Sequence, residues 1–362
     1  MLKRVLLALL ALLVLTLAAV AGTLLSPLQR FRGFPDPPPV AVPTDSVAPA
    51  RELRRVLSVL AHDSMMGRET GSPGARRAAR FLMAELERRG ARPAFPGGFV
   101  QEVPLVAVRS TRGRRRLYLP HEVAPRDSAR VEGRVTGWNL AGLVPGSHPD
   151  LAREVVVVSA HYDHVGVGDV VQGDSIYNGA DDDGSGVLAA LEVARAMAAA
   201  PPPRSVLVLL TTAEEFGIRG ARWYVDHPAV PLARTVADLN LEMVGRPDPK
   251  VGGPGWSWLT GWDEGTIRET VRGAGVPVGP DPRPWRRYHH RSDHVAFVRA
   301  GVMAHTLSSY GDHSDLHRPS DEVEAVDFRH LATVIQSVVA LTRELASTTL
   351  PGSPAPGRSP SG

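Results

Sequence analysis

Five segments of the chain, spread over roughly 160 residues, each carry a residue that binds zinc well. They are His161-Tyr162-Asp163, Gly179-Ala180-Asp181-Asp182-Asp183-Gly184, Glu214-Glu215, Asn240-Leu241-Glu242-Met243 and His317-Arg318-Pro319-Ser320-Asp321. Together they offer two imidazoles and eight carboxylates, several of them adjacent. That inventory suits two zinc ions sharing one carboxylate, plus a spare base to activate water. The chemistry it implies is hydrolysis.

Each segment also has an ordinary structural reading. A histidine after a buried strand is often structural, although Asp163 lies on the same side of an extended segment as His161 and could fix its tautomer. Asp181, Asp182 and Asp183 could simply cap the next helix. Three adjacent carboxylates repel, however, and a bound cation relieves that cost. Glu214 and Glu215 could be two solvated acids in a loop. Successive side chains point to different sides, so one could ligate a metal while the other faces the attacking water. Glu242 lies in an apolar stretch and needs a partner. His317 could be an exposed loop histidine.

These residues must be positioned by regular elements. Apolar runs predict strands at Glu154–Ala160, Val206–Thr212, Ala237–Val244 and Val302–Ser308, several of them apolar on both faces, as buried central strands are. Helical spacing predicts helices over Ala75–Arg89, stopped by Gly90, over Val187–Met197 and over Phe328–Leu345. Strands alternating with helices predict an α/β fold, a three-layer α/β/α arrangement with a mostly parallel mixed central sheet. Sites in such sheets form beyond the carboxyl ends of the strands. His161 directly follows one predicted strand, Glu214 and Glu215 follow another, and Glu242 lies near the end of its own.

The chain has 362 residues, a formal net charge of +3 and no cysteine. The missing cysteines exclude disulfides, thiol catalysis and thiolate zinc sites. Arg112–Arg116 is the main basic cluster and reads as a solvated hairpin or loop, so no nucleic-acid partner is expected. Lys3 and Arg4 precede an apolar run, Val5–Leu25, long enough to span a bilayer as a helix. Residues 1–25 are therefore expected to be a signal peptide cleaved after Ala19-Val20-Ala21, or an anchor in the inner membrane, which the length of the run favours. Either way the rest is exported. Residues 26–50 read as a Pro-rich linker, 51–348 as the zinc domain and 349–362 as a disordered tail.

Read in order, the motifs resemble the co-catalytic zinc exopeptidases, which include bacterial leucyl aminopeptidases and glutamate carboxypeptidase II, with glutaminyl cyclases as relatives. Gly67-Arg68-Glu69-Thr70-Gly71, Pro73-Gly74, His161-Tyr162-Asp163, Asn178–Gly186, Ala213–Gly220, Glu242, Arg291-Ser292-Asp293-His294 and His317–Asp321 carry the similarity. The resemblance implies that Asp181 bridges two metals, that His161 and Glu242 complete one site, and that Glu215 and His317 complete the other. Glu214 would be the general base, Asp163 would orient His161, and Asp182 resembles a position of unusual peptide geometry. Two zinc ions are implied, with cobalt or manganese as substitutes. Tyr288, His294 and Tyr310 are candidate donors to the substrate oxyanion.

The expected activity is removal of N-terminal residues from peptides. A carboxypeptidase of the same fold is the alternative, since Arg286, Arg287 and Arg291 could bind a substrate carboxylate. A glutaminyl cyclase-like enzyme and a non-catalytic receptor-like homologue follow. Retention of His161 speaks against the cyclase, and a complete ligand set against the receptor.

Overall fold

The structure is a computed structural model that describes residues 47–347. The expected signal peptide or anchor, nearly all of the linker and the C-terminal tail lie outside the described residues. No helix among those described is long and apolar enough to cross a membrane.

The strands are β1 (Arg92–Pro93), β2 (Val100–Arg109), β3 (Arg115–Tyr118), β4 (Val131–Val144), β5 (Val155–His161), β6 (Gly166–Val171), β7 (Asp174–Tyr177), β8 (Ser205–Thr211), β9 (Thr235–Glu242), β10 (Ser257–Leu259), β11 (Val278–Pro280) and β12 (Ala304–Ser308). Ten form one sheet, ordered β11-β10-β12-β9-β5-β8-β4-β2-β3, with β1 beside β4; β6 and β7 form a separate ribbon. The central run β8-β5-β9-β12 is parallel. The β8–β4–β2–β3 flank is antiparallel. The Arg112–Arg116 cluster lies at the exposed β2–β3 turn, as expected of a solvated hairpin.

Helices are α1 (Ala50–Leu60), α2 (Pro73–Arg88), α3 (Gly186–Ala199), α4 (Arg219–Asp226), α5 (Ile267–Ala274), α6 (His294–Arg299) and α7 (Phe328–Ser347). The period of two along the central strands divides them between two cores. Val156 and Val158 of β5, with Val206, Val208 and Leu210 of β8, pack under α1, α2, α3 and α7. Val155, Val157, Leu207 and Leu209 point the other way, against Tyr224 of α4 and Phe297 of α6. This is the three-layer arrangement expected. Helix α1, which the apolar pattern had not singled out, buries Leu53, Val56, Leu57 and Leu60 at helical spacing. Fully burying one such side chain contributes about 1.5–3 kcal/mol. Helix α3 is buried on nearly every side, and its Glu192 pairs with the buried Arg89.

Candidate metal centre

Three adjacent parallel strands deliver the first half of the site. His161 is the last residue of β5 and pairs in register with Thr211, the last of β8. Glu242 is the last residue of β9, which flanks β5 on the other side. Four residues beyond Thr211, the chain has turned through Ala213, a left-handed residue at φ 57°, to present Glu214 and Glu215. Gly220 makes that turn possible, since a Cβ there would lie 2.1 Å from the Thr212 carbonyl oxygen.

Two clusters of ligand atoms form at these strand ends. His161, Asp183 and Glu242 offer atoms within 4.8 Å of one another, and so do His164, Asp182, Glu215 and His317. The His161 Nε2 atom is 3.4 Å from Glu242 Oε1 and 3.5 Å from Asp182 Oδ1. On the other side, His317 Nε2 is 3.3 Å from Asp182 Oδ2 and 3.1 Å from Glu215 Oε2. Asp182 thus turns one carboxylate oxygen to each cluster.

This corrects the expected role of Asp181. Its Oδ1 accepts from Gly245 N at 2.8 Å and Ser185 Oγ at 3.0 Å, and its Oδ2 faces His313 Nε2 at 3.2 Å and Arg246 Nε at 3.6 Å. Those partners point it away from His161 and Glu215. In a run of three aspartates, adjacent side chains diverge, so a shift of one residue in register puts Asp182, not Asp181, between the two clusters. Asp183 is structural as well. Its Oδ1 accepts from Met243 N at 3.0 Å and from Gly186 N at 3.2 Å, in the first turn of α3, and its Oδ2 accepts from His161 N at 3.2 Å. The Asp182–Asp183 peptide is cis.

Asp163 holds the site together in a way not foreseen. The Nδ1 of His161 is 3.0 Å from the Asp163 carbonyl oxygen but 3.8 Å from its carboxylate, so the main chain sets the ring and leaves Nε2 toward the cluster. The Asp163 carboxylate accepts from Thr70 Oγ1 at 3.0 Å and Glu214 N at 3.1 Å. Thr70 Oγ1 in turn accepts from Ala213 N at 3.0 Å, so the early Arg68–Gly71 segment ties the β5 and β8 ends together.

The loop residues of the cage have their own scaffold. Arg68 is buried, and its guanidinium donates to the carbonyl oxygens of Tyr162, Leu60, Asn178 and Gly179 at 2.5–3.2 Å. Asp321 accepts from Asp181 N and Asp182 N at 3.0 and 2.9 Å. Arg246 links Asp321 at 2.8 Å to Asp315 at 2.5 Å, in the loop that carries His317. Arg68, Arg246 and the role of Asp321 were not anticipated, because nothing in sequence spacing says which buried arginine meets which loop.

The electrostatics are those of a cage made for a cation. Burial alone would lower the pKa of His161, but the Glu242 carboxylate beside it pushes it well above its ordinary value. Burial likewise opposes a charge on His317, yet hydrogen bonds with Asp182 and Glu215 push it up to about 11. The carboxylates thus favour positive charge at this place, which is what a bound cation would supply. Glu215 Oε1 and both ring nitrogens of His164 are buried without hydrogen-bond partners. Unsatisfied donors and acceptors of this kind are costly, and ligation would satisfy them. Imidazole and carboxylate donors suit a borderline divalent ion such as zinc.

Beside the clusters is a cleft of about 240 Å³ lined by Glu214, Trp258, Tyr288, Arg291, Tyr310 and Leu316 among others. Tyr288 stacks on Trp258 with centroids 5.2 Å apart, and its hydroxyl donates to Asp312 Oδ1 at 3.0 Å. Tyr310 lines the cleft too. His294 does not. It is buried, with Nδ1 2.7 Å from Thr306 Oγ1 and Nε2 3.2 Å from the His289 carbonyl oxygen. Its place as a substrate donor is corrected on that ground, since both nitrogens are already engaged. The same Arg291–His294 motif serves the site through Ser292, whose hydroxyl donates to Glu242 Oε2 at 2.5 Å.

Fold and cage together define a class of α/β proteins with a metal cage at the carboxyl ends of parallel strands. Residues 139–342 match the family described as peptidase family M28, and the chain belongs to that family. Among curated proteins it is 30% identical over 219 residues to aminopeptidase YwaD of Bacillus subtilis, covering 58% of this chain and 45% of that protein. The chain therefore spans less than half the length of this relative. Its fold is similar to that of an aminopeptidase from Aneurinibacillus sp. strain AM-1, with a TM-score of 0.59, 15% identity, and coverage of 85% of this chain and 96% of that one. A glutaminyl cyclase of Porphyromonas gingivalis has the same fold at a TM-score of 0.56 and 18% identity, covering 82% and 98%.

Proposed function

We propose that this chain is a two-zinc exopeptidase that removes residues from the N-termini of peptides. The observation that carries the reading is Asp182, with one carboxylate oxygen toward His161 and the other toward His317. In this reading His161, Glu242 and Asp182 hold one ion, while Glu215, His317 and Asp182 hold the second. When bound, zinc acidifies water and polarises a carbonyl oxygen.

The rest of the reaction falls to the chain's own groups. Glu214 lines the cleft beside both clusters. Burial, with the charges of Glu242, Glu215 and Asp293 around it, raises its pKa well above the usual carboxylate range, against the opposing pull of His161. A carboxylate of raised proton affinity takes a proton from water near neutrality, and the resulting acid returns it to the leaving amine. The main-chain N–H of Glu214 donates to Asp163, which fixes the segment that carries the base. Trp258, Tyr288 and Tyr310 give the cleft an aromatic wall suited to an apolar side chain. A free α-amino group brings donors, and the carboxylates of the cleft supply acceptors for it.

A second reading has one observation in its favour. Of the three arginines near this region, Arg291 lines the cleft, where it could receive a C-terminal carboxylate. Arg286 instead pairs with Asp312 at 3.5 Å. The test compares a peptide with a free N-terminus against its N-acetylated form. Cleavage of the free form alone supports the aminopeptidase; equal or preferential cleavage of the blocked form supports the carboxypeptidase and overturns the reading argued here. Glu214→Gln is expected to retain both ions and lose roughly 10²–10⁴-fold in turnover. Full turnover in that variant would remove Glu214 from the base role. The apolar run Val5–Leu25 after Lys3 and Arg4 supports export, with the domain held at the membrane or released from it.

A further inference from the structure

His164 is the side chain in the cage for which the two-zinc reading has no use. It lies three residues beyond His161 and is fully buried. Its main chain and its ring are each fixed by a neighbour. Its backbone N–H reaches the Arg68 carbonyl oxygen at 3.4 Å. Gly179 packs close to the ring, where a Cβ would come within 2.6 Å of His164 Cδ2. The absent side chain at Gly179 is therefore what gives this imidazole its room.

So placed, His164 Nδ1 is 3.0 Å from Glu215 Oε1 and 3.8 Å from Asp182 Oδ2. The shorter distance would suit a hydrogen bond, yet Nδ1 and Oε1 are both buried without one. The two atoms are close but not aimed at each other, as ligands of a common centre are. Four ligands about 2.0–2.1 Å from a tetrahedral zinc stand roughly 3.3 Å apart. Around Asp182 Oδ2 and Glu215, the imidazole nitrogens of His164 and His317 stand at 3.0–3.8 Å.

We infer that His164 is a fourth protein ligand, through Nδ1, of the metal site formed by Asp182, Glu215 and His317. The inference rests on the two-metal reading and makes its two sites unequal. One has four protein ligands, the arrangement of closed, tightly held zinc. The other has His161, Glu242 and Asp182, which leaves a position open for water or substrate. The site with His164 fills first and releases its ion last. The site with His161 exchanges its ion and carries the exposed Lewis acidity.

The test uses the full chain, stripped with a chelator and titrated with zinc against a competing indicator. A parallel titration with cobalt follows its visible absorption. Wild type is expected to bind two equivalents in two steps. In His164→Gln and His164→Ala the first step weakens by roughly 10–100-fold or more and the first cobalt spectrum changes, while the second step moves little. The thermal midpoint of each metal-free variant reports whether it folds. X-ray absorption on wild type loaded with one zinc needs no variant, and should count two imidazoles around that ion. One imidazole, or variants that match wild type in affinity and spectrum, would overturn the assignment of His164 alone. A wild-type chain that binds no zinc or cobalt would overturn the two-metal reading as well.

Discussion

The cage is built in two ways. His161 and Glu242 stand at the ends of neighbouring parallel strands, and Glu215 follows the end of a third. Their separation is set by the hydrogen-bond ladders of the sheet, with Ser159 opposite Asn240 and His161 opposite Thr211. Asp182 and His317 lie on loops with no ladder. Their positions depend on side chains: Arg68 under the aspartate loop, Asp321 on its amides, and Arg246 between Asp321 and Asp315. The strand-borne side chains of the cage are placed by backbone pairing among apolar neighbours. The loop-borne side chains are placed by buried charges, which tolerate substitution poorly because each leaves several polar partners unmet.

The largest expected effect breaks the loop half at its centre. Asp182→Asn removes the group that faces both clusters and should abolish tight binding of both ions together. That loss should exceed the roughly 10–100-fold that changes behind a ligand cost. Its neighbour is the control. Asp181→Asn keeps an oxygen for Gly245 N and Ser185, weakens the link to Arg246, and should cost no more than about tenfold in zinc affinity. Zinc titration of the two variants checks both. If Asp181→Asn lost both ions and Asp182→Asn kept them, the bridge would return to Asp181.

Arg68→Met comes next. Four carbonyl oxygens lose their donor in a buried place, so the metal-free domain should lose about 3 kcal/mol or more, read by urea unfolding. Arg68→Lys should fall between the two, since an ammonium cannot reach all four acceptors of a planar fork. Zinc affinity should fall along the same series, through Asp182. An Arg68→Met domain as stable as wild type would mean that the loop holds itself.

The same division decides what was legible in the sequence. The strands bearing His161 and Glu242 were readable to within a residue or two, because period-two burial and apolar runs report directly on backbone pairing. Phe328–Ser347 and Pro73–Arg88 were readable for the same reason at helical period. In the aspartate run, three equal side chains gave no way to choose the register. His164 was passed over beside His161-Tyr162-Asp163, since only the return of the chain past Gly179 brings it to Glu215. His294 drew notice as a polar residue in a motif, but its burial depends on where α6 packs. Side chains whose function is to hold loops report on tertiary geometry, and no local pattern encodes that.

The smallest expected effect concerns histidines outside the cage. His161 and His317 are pushed up by carboxylates, whereas His330, in the first turn of α7, is pushed down to about 4 by burial, against the weaker pull of Asp327 and Asp181. Its Nδ1 accepts from Gly255 N at 2.8 Å, and its Nε2 is 3.0 Å from Ser309 Oγ, just behind the Met243 carbonyl. Protonation would set a second donor against the Gly255 N–H. The unfolded chain takes up a proton near pH 6.5 and the folded chain near 4. In that window the unfolded state therefore binds more protons, and acid favours it. The contribution of a neutral His330 is fully present above about pH 6.5 and is lost as the pH falls toward 4, roughly 3–4 kcal/mol at most. His330→Gln keeps a hydrogen-bonding side chain there but does not titrate. Measured by urea unfolding with chelator present, the advantage of wild type over this variant should be widest above pH 6.5 and shrink steadily toward pH 4. A gap that stays constant with pH would mean that His330 can be charged in place. The framework behind the site would then tolerate charge as the cage does, and the contrast between the two regions would fail.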